Sequence, residues 1–182
     1  MTESPEKKRR TFFNPHFVQG EKRRSYRLAF VLFWSILMYL FFTHYVISVG
    51  IIRETSMVPT APEGAYYLVN NYIYYFTRPK RRDIVILRRN VHGLEIVKRV
   101  IGLEGETLLI RGGYVYINGR RLKEPYALGG TYPDFGPYRI AKDTYFLLGD
   151  NREESEDSRH FCAIPFRNIQ GKIEPGVFFP FY

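Results

Sequence analysis

The sequence predicts a mainly β fold, in which an antiparallel β domain follows a single N-terminal transmembrane helix. Three observations indicate this arrangement: a long uncharged apolar run near the N-terminus, a series of short runs rich in Val, Ile and Tyr after it, and no helical periodicity over three turns in that second part. A chain of 182 residues has room for one modest domain. The length therefore excludes a large multidomain enzyme and a long repeat array.

Residues 1–27 form a basic segment that we expect to lie in the cytoplasm. Its Lys and Arg residues gather shortly before the apolar run, at Lys7, Lys8, Arg9, Arg10, Lys22, Arg23, Arg24 and Arg27. Such residues are enriched on the cytoplasmic side of membrane-spanning helices. The same rule puts the chain after Arg53 on the other side of the membrane.

The apolar run covers residues 28–52 and contains no Asp, Glu, Lys or Arg. It exceeds the roughly 20 residues that a transmembrane helix needs. It is also longer than the apolar core of a cleaved signal peptide, which has about 7–15 residues. We therefore expect residues 28–52 to be a retained single-pass anchor in the cell membrane, and residues 53–182 to be an extracytoplasmic β-rich domain.

Strand signals follow one another through that domain. They cover residues 65–76, 83–88, 95–101, 107–110, 113–122, 144–148 and 169–173. Asn118-Gly119 lies between paired runs and is a strong hairpin signal. Residues 127–142, rich in Gly and Pro, are predicted to be a loop. The aromatic residues 176–182 are candidates for insertion into the membrane interface or for burial against the β domain.

Composition and motifs exclude most kinds of site. Cys162 is the single cysteine, so no intramolecular disulfide can form, and four scattered histidines give no zinc-ligand spacing. The sequence has no GxSxG, HExxH, P-loop or GxGxxG motif. We expect no metal and no cofactor. The net charge of +9 is only weak support for nucleic-acid binding, because membrane topology already explains the basic cluster. We expect membrane lipid, and no nucleic acid, as a partner.

Ser56 is a candidate nucleophile a few residues beyond the apolar run. A serine hydroxyl needs a base beside it, and Lys98 is the candidate because no histidine has a suggestive position. Strand alternation puts Lys98 on the face of Ile96 and Val100, where desolvation favours the neutral amine. From the residues alone, Ser56 as an ordinary turn residue remains an alternative. Lys98 could equally reach out from a sheet edge or pair with an acid.

Four ordered segments closely resemble the sequence boxes of type I signal peptidases. They are residues 56–60, 82–86, 98–102 and 149–152, the last running into 155–159. The likeness extends from the end of the anchor to about Lys172. It implies a membrane serine endopeptidase of signal peptidase fold that removes signal peptides from exported preproteins. In this family cleavage follows small residues of the Ala-x-Ala type and proceeds through an acyl-enzyme.

The resemblance also implies roles for individual residues. Ser56 matches the nucleophile, Lys98 the general base, and Ser155 a serine whose hydroxyl orients that lysine. Many relatives hold the oxyanion with the nucleophile's N–H and a hydroxyl two residues earlier, a position that is Glu54 here. A carboxylate would repel an oxyanion, so Glu54 must turn away, be protonated, or leave fewer donors. The oxyanion candidates are the Ser56 N–H and the neighbouring Thr55.

The segment 149–159 contains four further charged residues of interest. Asp157 and Arg159 match a pair that holds the loop of the site together in this family. Asp150 and Arg152 belong to the same loop, and solvated turn charges are an open alternative for both.

Three other positions depart from the family pattern. Ala61 stands where relatives usually have leucine, and Arg82 and Cys162 stand where they commonly have glycine. If Cys162 needs a positive φ, its side chain strains the backbone.

Two alternative functions remain open at this point. A paralogue dedicated to one secreted partner would share every motif and differ only in its range of substrates. A catalytically weak, membrane-tethered β module that binds exported chains is suggested by Glu54 and Cys162.

Overall fold

A computed structural model describes residues 15–41, 47–88, 95–130 and 132–174. The chain divides into two compact units, residues 1–41 and residues 42–182. The aromatic segment 176–182 and the basic residues from Lys7 to Arg10 lie outside the described residues, so the predictions made for them stay predictions.

The first unit contains the helix α1 (Pro15–Phe41). Every side chain from residue 25 to residue 41 is exposed, including large apolar ones such as Leu28, Phe33 and Leu40. Among the described residues, no helix combines the length and the apolar character that a bilayer crossing requires.

The expected helix over residues 28–52 is wrong in its last part. Helix α1 ends at Phe41, and Ile47–Ile51 form strand β1, which pairs antiparallel with β2 (Tyr66–Asn70). Apolar character alone does not separate helix from strand, and the β-branched residues of Ile-Ser-Val-Gly-Ile favour a strand. Gly50 fits this pairing because a Cβ there would lie 2.3 Å from the ring of Tyr67.

The described residues of the second unit form two antiparallel sheets. Its further strands are β3 (Ile84–Arg88), β4 (Glu95–Gly102), β5 (Thr107–Arg111), β6 (Tyr114–Ile117), β7 (Arg120–Arg121), β8 (Phe135–Arg139), β9 (Thr144–Leu148), β10 (Ile164–Pro165) and β11 (Ile169–Ile173). The larger sheet has the order β1-β2-β11-β3-β4-β9-β10, and the smaller one β7-β6-β5-β8. The connections include the short helices α2 (Ile73–Phe76) and α3 (Ser158–Phe161) and a 3-10 turn at Thr55–Met57.

Most predicted strands are confirmed, two of them with their bounds, at Thr144–Leu148 and Ile169–Ile173. The hairpin signal is also confirmed, since Asn118 and Gly119 join β6 to β7 with φ angles of 50° and 77°. The predicted loop 127–142 is wrong where it contains β8. That strand lies at a sheet edge, where a proline's missing N–H removes no bond from the ladder.

Three buried apolar clusters support the second unit, and two of them bear on the site. In one cluster, Met57 and Ala61 pack with Ile84, Ile86 and Val97. The residue after Ser56 is thereby anchored in the core. In another, Val85 lies with Ile96 and Val100, the neighbours of Lys98 in alternation along β4. The remaining cluster joins β9 to the smaller sheet.

Candidate active site

Ser56 and Lys98 are in direct contact. The Lys98 Nζ donates a hydrogen bond of 2.5 Å to the Ser56 Oγ. Both residues are buried, Ser56 being 4% exposed and Lys98 1%. Lys98 therefore does not reach out to solvent from a sheet edge, and Ser56 is not a solvent-exposed turn residue. The 3-10 turn positions the serine, and the interior of β4, opposite Val85, positions the lysine.

Burial sets the electrostatics of Lys98. Desolvation lowers its pKa below the ordinary 10.5, because a buried ammonium loses its hydration. Glu54 and Asp157 act in the opposite direction, since their negative charges favour the ammonium. A lysine with a lowered pKa reaches its neutral form at lower pH, and only the neutral amine accepts a proton from a serine.

Glu54 faces this pair instead of turning away. The Ser56 Oγ donates to the Glu54 Oε2 at 3.4 Å, and the Lys98 Nζ is 3.6 Å from the same oxygen. The Glu54 side chain is 50% exposed, so it lies at the boundary between the buried pair and solvent. Both the serine–lysine contact and the acid pairing considered for Lys98 are therefore present together.

The two oxyanion candidates differ in their surroundings. Ser56 lies in the first turn of its 3-10 helix, where a backbone N–H has no acceptor within the helix. The Thr55 side chain is exposed, and its hydroxyl donates to the Glu154 Oε2 at 3.1 Å. A hydroxyl has one proton to donate, so this contact occupies the donor of Thr55.

Asp157 and Arg159 form a two-point ion pair inside the loop. Arg159 Nε and Nη2 donate to the two Asp157 oxygens at 2.8 and 2.9 Å. Asp157 also accepts from the Gly149 N–H at 3.1 Å. Arg159 Nη2 donates further to the Arg152 and Ser155 carbonyls, at 2.7 and 3.2 Å. The pair thus ties together the backbone on both sides of Ser155.

Ser155 is buried beside Gly149 and 5% exposed. Its hydroxyl has no hydrogen-bond partner among the described residues, and this includes Lys98. Buried hydroxyls in native proteins nearly always have a partner. The orienting role that the resemblance implies for Ser155 therefore stays a prediction.

Asp150 and Arg152 are not solvated turn charges, since they are 0% and 1% exposed. Asp150 accepts from Arg99 Nε and Nη2 at 2.7 and 2.6 Å, and from Thr60 at 2.5 Å. Arg152 pairs with Glu124 at 2.6 Å. The partners Thr60, Arg99 and Glu124 were missed in the sequence. Thr60 and Arg99 lie inside the boxes 56–60 and 98–102. Their membership of these boxes was the sequence signal that could have identified them.

Arg82 and Cys162 both have positive φ angles, 77° and 63°. These are the two positions at which the resemblance led us to expect glycine. Cys162 combines its φ with a ψ of −173°, a region that is nearly restricted to glycine and costs about 1–3 kcal/mol for another residue.

A cleft adjoins Ser56. It is lined by Ile51, Ile52, Arg53, Glu54, Ser56, Met57, Tyr67 and Val97.

Within the described ranges, no group of three His, Cys, Asp or Glu residues could hold a metal ion.

Comparison with known proteins identifies the family. The family model described as "Signal peptidase, peptidase S26" matches residues 25–178. The chain belongs to the signal peptidase family. Signal peptidase I P of Bacillus subtilis subsp. natto is 35% identical over 158 residues, covering 81% of this chain and 84% of the relative. Signal peptidase I T of Bacillus subtilis (strain 168) is 34% identical over 157 residues, with 81% of each covered.

The chain is also similar to the crystal structure of a signal peptidase I from Enterococcus faecalis. The two chains share 31% sequence identity with a TM-score of 0.48, and the match covers 54% of this chain and 98% of that one. The family match and the named relatives confirm the predicted class of enzyme, a serine peptidase of the signal peptidase I type. The mainly β, antiparallel character of the second unit is confirmed as well.

Proposed function

We propose that this signal peptidase cleaves signal peptides from exported preproteins with Ser56 as nucleophile and Lys98 as general base. The observation that carries the proposal is the 2.5 Å contact between the buried Lys98 Nζ and the Ser56 Oγ. No metal or cofactor is needed, because a serine activated by an adjacent base suffices for acyl transfer.

In acylation, neutral Lys98 accepts the Ser56 proton while the Oγ attacks the scissile carbonyl carbon. The C–N bond then breaks, and Lys98 returns the proton to the leaving amine. In deacylation, Lys98 takes a proton from water, the hydroxide attacks the ester carbon, and the proton passes back to Ser56. The backbone N–H of Ser56 is the main oxyanion donor in this scheme. Thr55 is a second candidate, which would first have to release Glu154.

Ser155, Asp157 and Arg159 support the pair. An unpartnered buried hydroxyl at Ser155 is suited to a partner that changes during turnover, and Lys98 changes its proton in each half-reaction. The Asp157–Arg159 pair keeps the backbone around Ser155 in place through two carbonyl contacts.

The substrate lies extended in the cleft beside Ser56, and the cleft selects small residues of the Ala-x-Ala type. Among the described strands, β1 is at an edge of the larger sheet, and such an edge can accept an added strand. Tyr67 and Met57 line the cleft and are almost fully buried. Their fixed bulk leaves little depth for large side chains.

The apolar segment that begins at Leu28 anchors the enzyme in the cell membrane, with residues 1–27 in the cytoplasm and the β unit, including strand β1 (Ile47–Ile51), outside. The support is the uncharged sequence 28–41, whose apolar side chains are all exposed, and the basic residues before it. Anchoring holds enzyme and membrane-bound substrate in two dimensions and raises their effective concentration.

The decisive experiment is cleavage of a preprotein with an Ala-x-Ala site by the full chain in detergent. Wild type is compared with Ser56→Ala and Lys98→Ala, and with Ser25→Ala as a control outside the β unit. We expect cleavage by wild type and control only, with all four proteins equally folded by circular dichroism. Folded wild type that binds preproteins without cutting them would instead support the catalytically weak module. Cleavage of one preprotein among many would support a dedicated paralogue.

A further inference from the structure

We propose that Glu54 is a positioning residue that holds the Lys98 ammonium against Ser56 between turnovers and thereby raises the pH at which the peptidase becomes active. The inference rests on the proposed Ser56/Lys98 pair and adds a third residue to it. The resemblance implies an oxyanion hydroxyl at this position, whereas the carboxylate present here gives the position a different role.

The geometry is a triangle of three polar groups. One oxygen of Glu54 lies 3.4 Å from the Ser56 Oγ and 3.6 Å from the Lys98 Nζ, while the two latter atoms are 2.5 Å apart. The ammonium has three protons, of which one is directed to Ser56. Because Glu54 is half exposed, its carboxylate keeps part of its hydration and approaches the buried ammonium at little desolvation cost.

The other groups around Lys98 do not replace Glu54. Val85 of β3 lies opposite Lys98. Leu148 and Leu147 of β9 lie opposite the next two residues of β4. Both strands that neighbour β4 therefore contribute apolar residues near Lys98. Asp157 also favours the ammonium, but its two oxygens are bound by Arg159. Glu156 is exposed and acts more weakly than either.

The consequence concerns the proton that Lys98 must lose before it can act as a base. A carboxylate beside the ammonium favours the charged form and opposes the effect of burial. The same carboxylate repels negative charge that develops near the Ser56 N–H. Glu54 therefore holds Lys98 against Ser56 in the resting enzyme. It also restricts peptidase activity to more alkaline pH.

The test is the pH dependence of kcat/KM for the full chain in detergent, from about pH 6 to about pH 10, a range that extends downward from the ordinary pKa of a lysine. Glu54→Gln keeps the shape and removes the charge. We expect the acid limb of its profile to move to lower pH, with a several-fold higher kcat/KM well below the wild-type midpoint. Glu54→Asp is expected to keep the charge with a smaller effect. Glu63→Gln, which removes an exposed carboxylate elsewhere, is the matched control and should leave the profile unchanged.

A second measurement separates this inference from the proposed function. The Lys98 amine is titrated by NMR in Ser56→Ala and in the Ser56→Ala, Glu54→Gln double variant, where activity plays no part. A lower midpoint in the double variant supports the inference. Equal midpoints, together with coincident acid limbs for wild type and Glu54→Gln, would overturn it while leaving the Ser56/Lys98 pair intact. Cleavage by Lys98→Ala would overturn the pair itself.

Discussion

The carbonyl oxygen of Ser56 accepts a hydrogen bond of 3.0 Å from the Asn151 N–H. The backbone of Ser56 is thus fixed by the loop that follows β9, independently of the contact between the Ser56 side chain and Lys98. The Asn151 side chain also donates to the Glu154 Oε2 at 3.2 Å, the same oxygen that accepts from Thr55. The site is therefore held from its backbone side as well as from its reactive side.

Gly149→Ala is expected to disable the site. A Cβ at this position would lie 2.2 Å from the Ser155 Oγ and 2.5 Å from the Ser56 carbonyl oxygen, and the second is backbone that cannot rotate away. We expect a stability loss of about 1–3 kcal/mol together with loss of cleavage. Gly129→Ala is the control, because its Cβ would meet no atom within 4 Å. Equal activity and stability of the two variants would contradict this account of the loop.

Cys162→Gly is expected to stabilise the fold. Relief of the strained backbone should raise the free energy of unfolding by about 1–3 kcal/mol. Part of this gain is offset because glycine increases the conformational entropy of the unfolded chain. Urea unfolding in detergent measures the difference. Cys162→Ala removes the thiol but keeps a Cβ, so it should behave as wild type does. A gain with alanine equal to that with glycine would show that the thiol, and not the backbone, is responsible.

Asp150→Asn is expected to destabilise the protein by about 3–5 kcal/mol, because it leaves the buried Arg99 guanidinium without its counter-charge. Asp143→Asn is the matched control. Asp143 pairs with Arg78 at 3.2 Å, but both side chains are more than half exposed, and such pairs contribute less than about 1 kcal/mol. Thermal unfolding of the two variants compares them directly. Similar losses in both would mean that burial does not decide the strength of these pairs.

Lys98→Met is expected to abolish cleavage and to raise stability. The pKa of Lys98 is lower in the folded chain than in the unfolded one, mainly through desolvation. Below its ordinary pKa the unfolded chain therefore binds this proton more readily, and stability increases as the pH rises. Methionine removes that cost, so its gain in melting temperature should be larger near neutral pH than near about pH 10. Lys123→Met, at an exposed position, should show no such pH dependence.

The local parts of this fold were predictable, since alternation and turn residues fix strands such as Thr144–Leu148 and the hairpin at Asn118-Gly119. The failures have physical causes. The composition of residues 47–51 suits both a buried helix and an edge strand, and only pairing with β2 decides between them. Gly136 and Pro137 suggested a loop, although an edge strand tolerates both.

In the site, the contact between Ser56 and Lys98 was predictable because their boxes resemble, in order and spacing, the sequence boxes of type I signal peptidases. The burial of Asp150 and Arg152 was not predictable from the sequence. Their partners Arg99 and Glu124 are distant in the chain, and nothing local to a Gly-Asp-Asn-Arg turn shows that the backbone folds over it. Likewise, the resemblance identified Glu54 as a departure, but its contact with Lys98 depends on the direction of one side chain.

Strand β11 lies between β2 and β3 in the larger sheet. The β1–β2 hairpin, which contains Ser56 in its connection, is therefore joined to the β3–β4 hairpin, which carries Lys98, through a strand that follows both in the sequence. Until β11 has been synthesised, β2 and β3 have no partner strand between them in the larger sheet. The larger sheet is therefore completed only when β11, the last strand among the described residues, is inserted between β2 and β3.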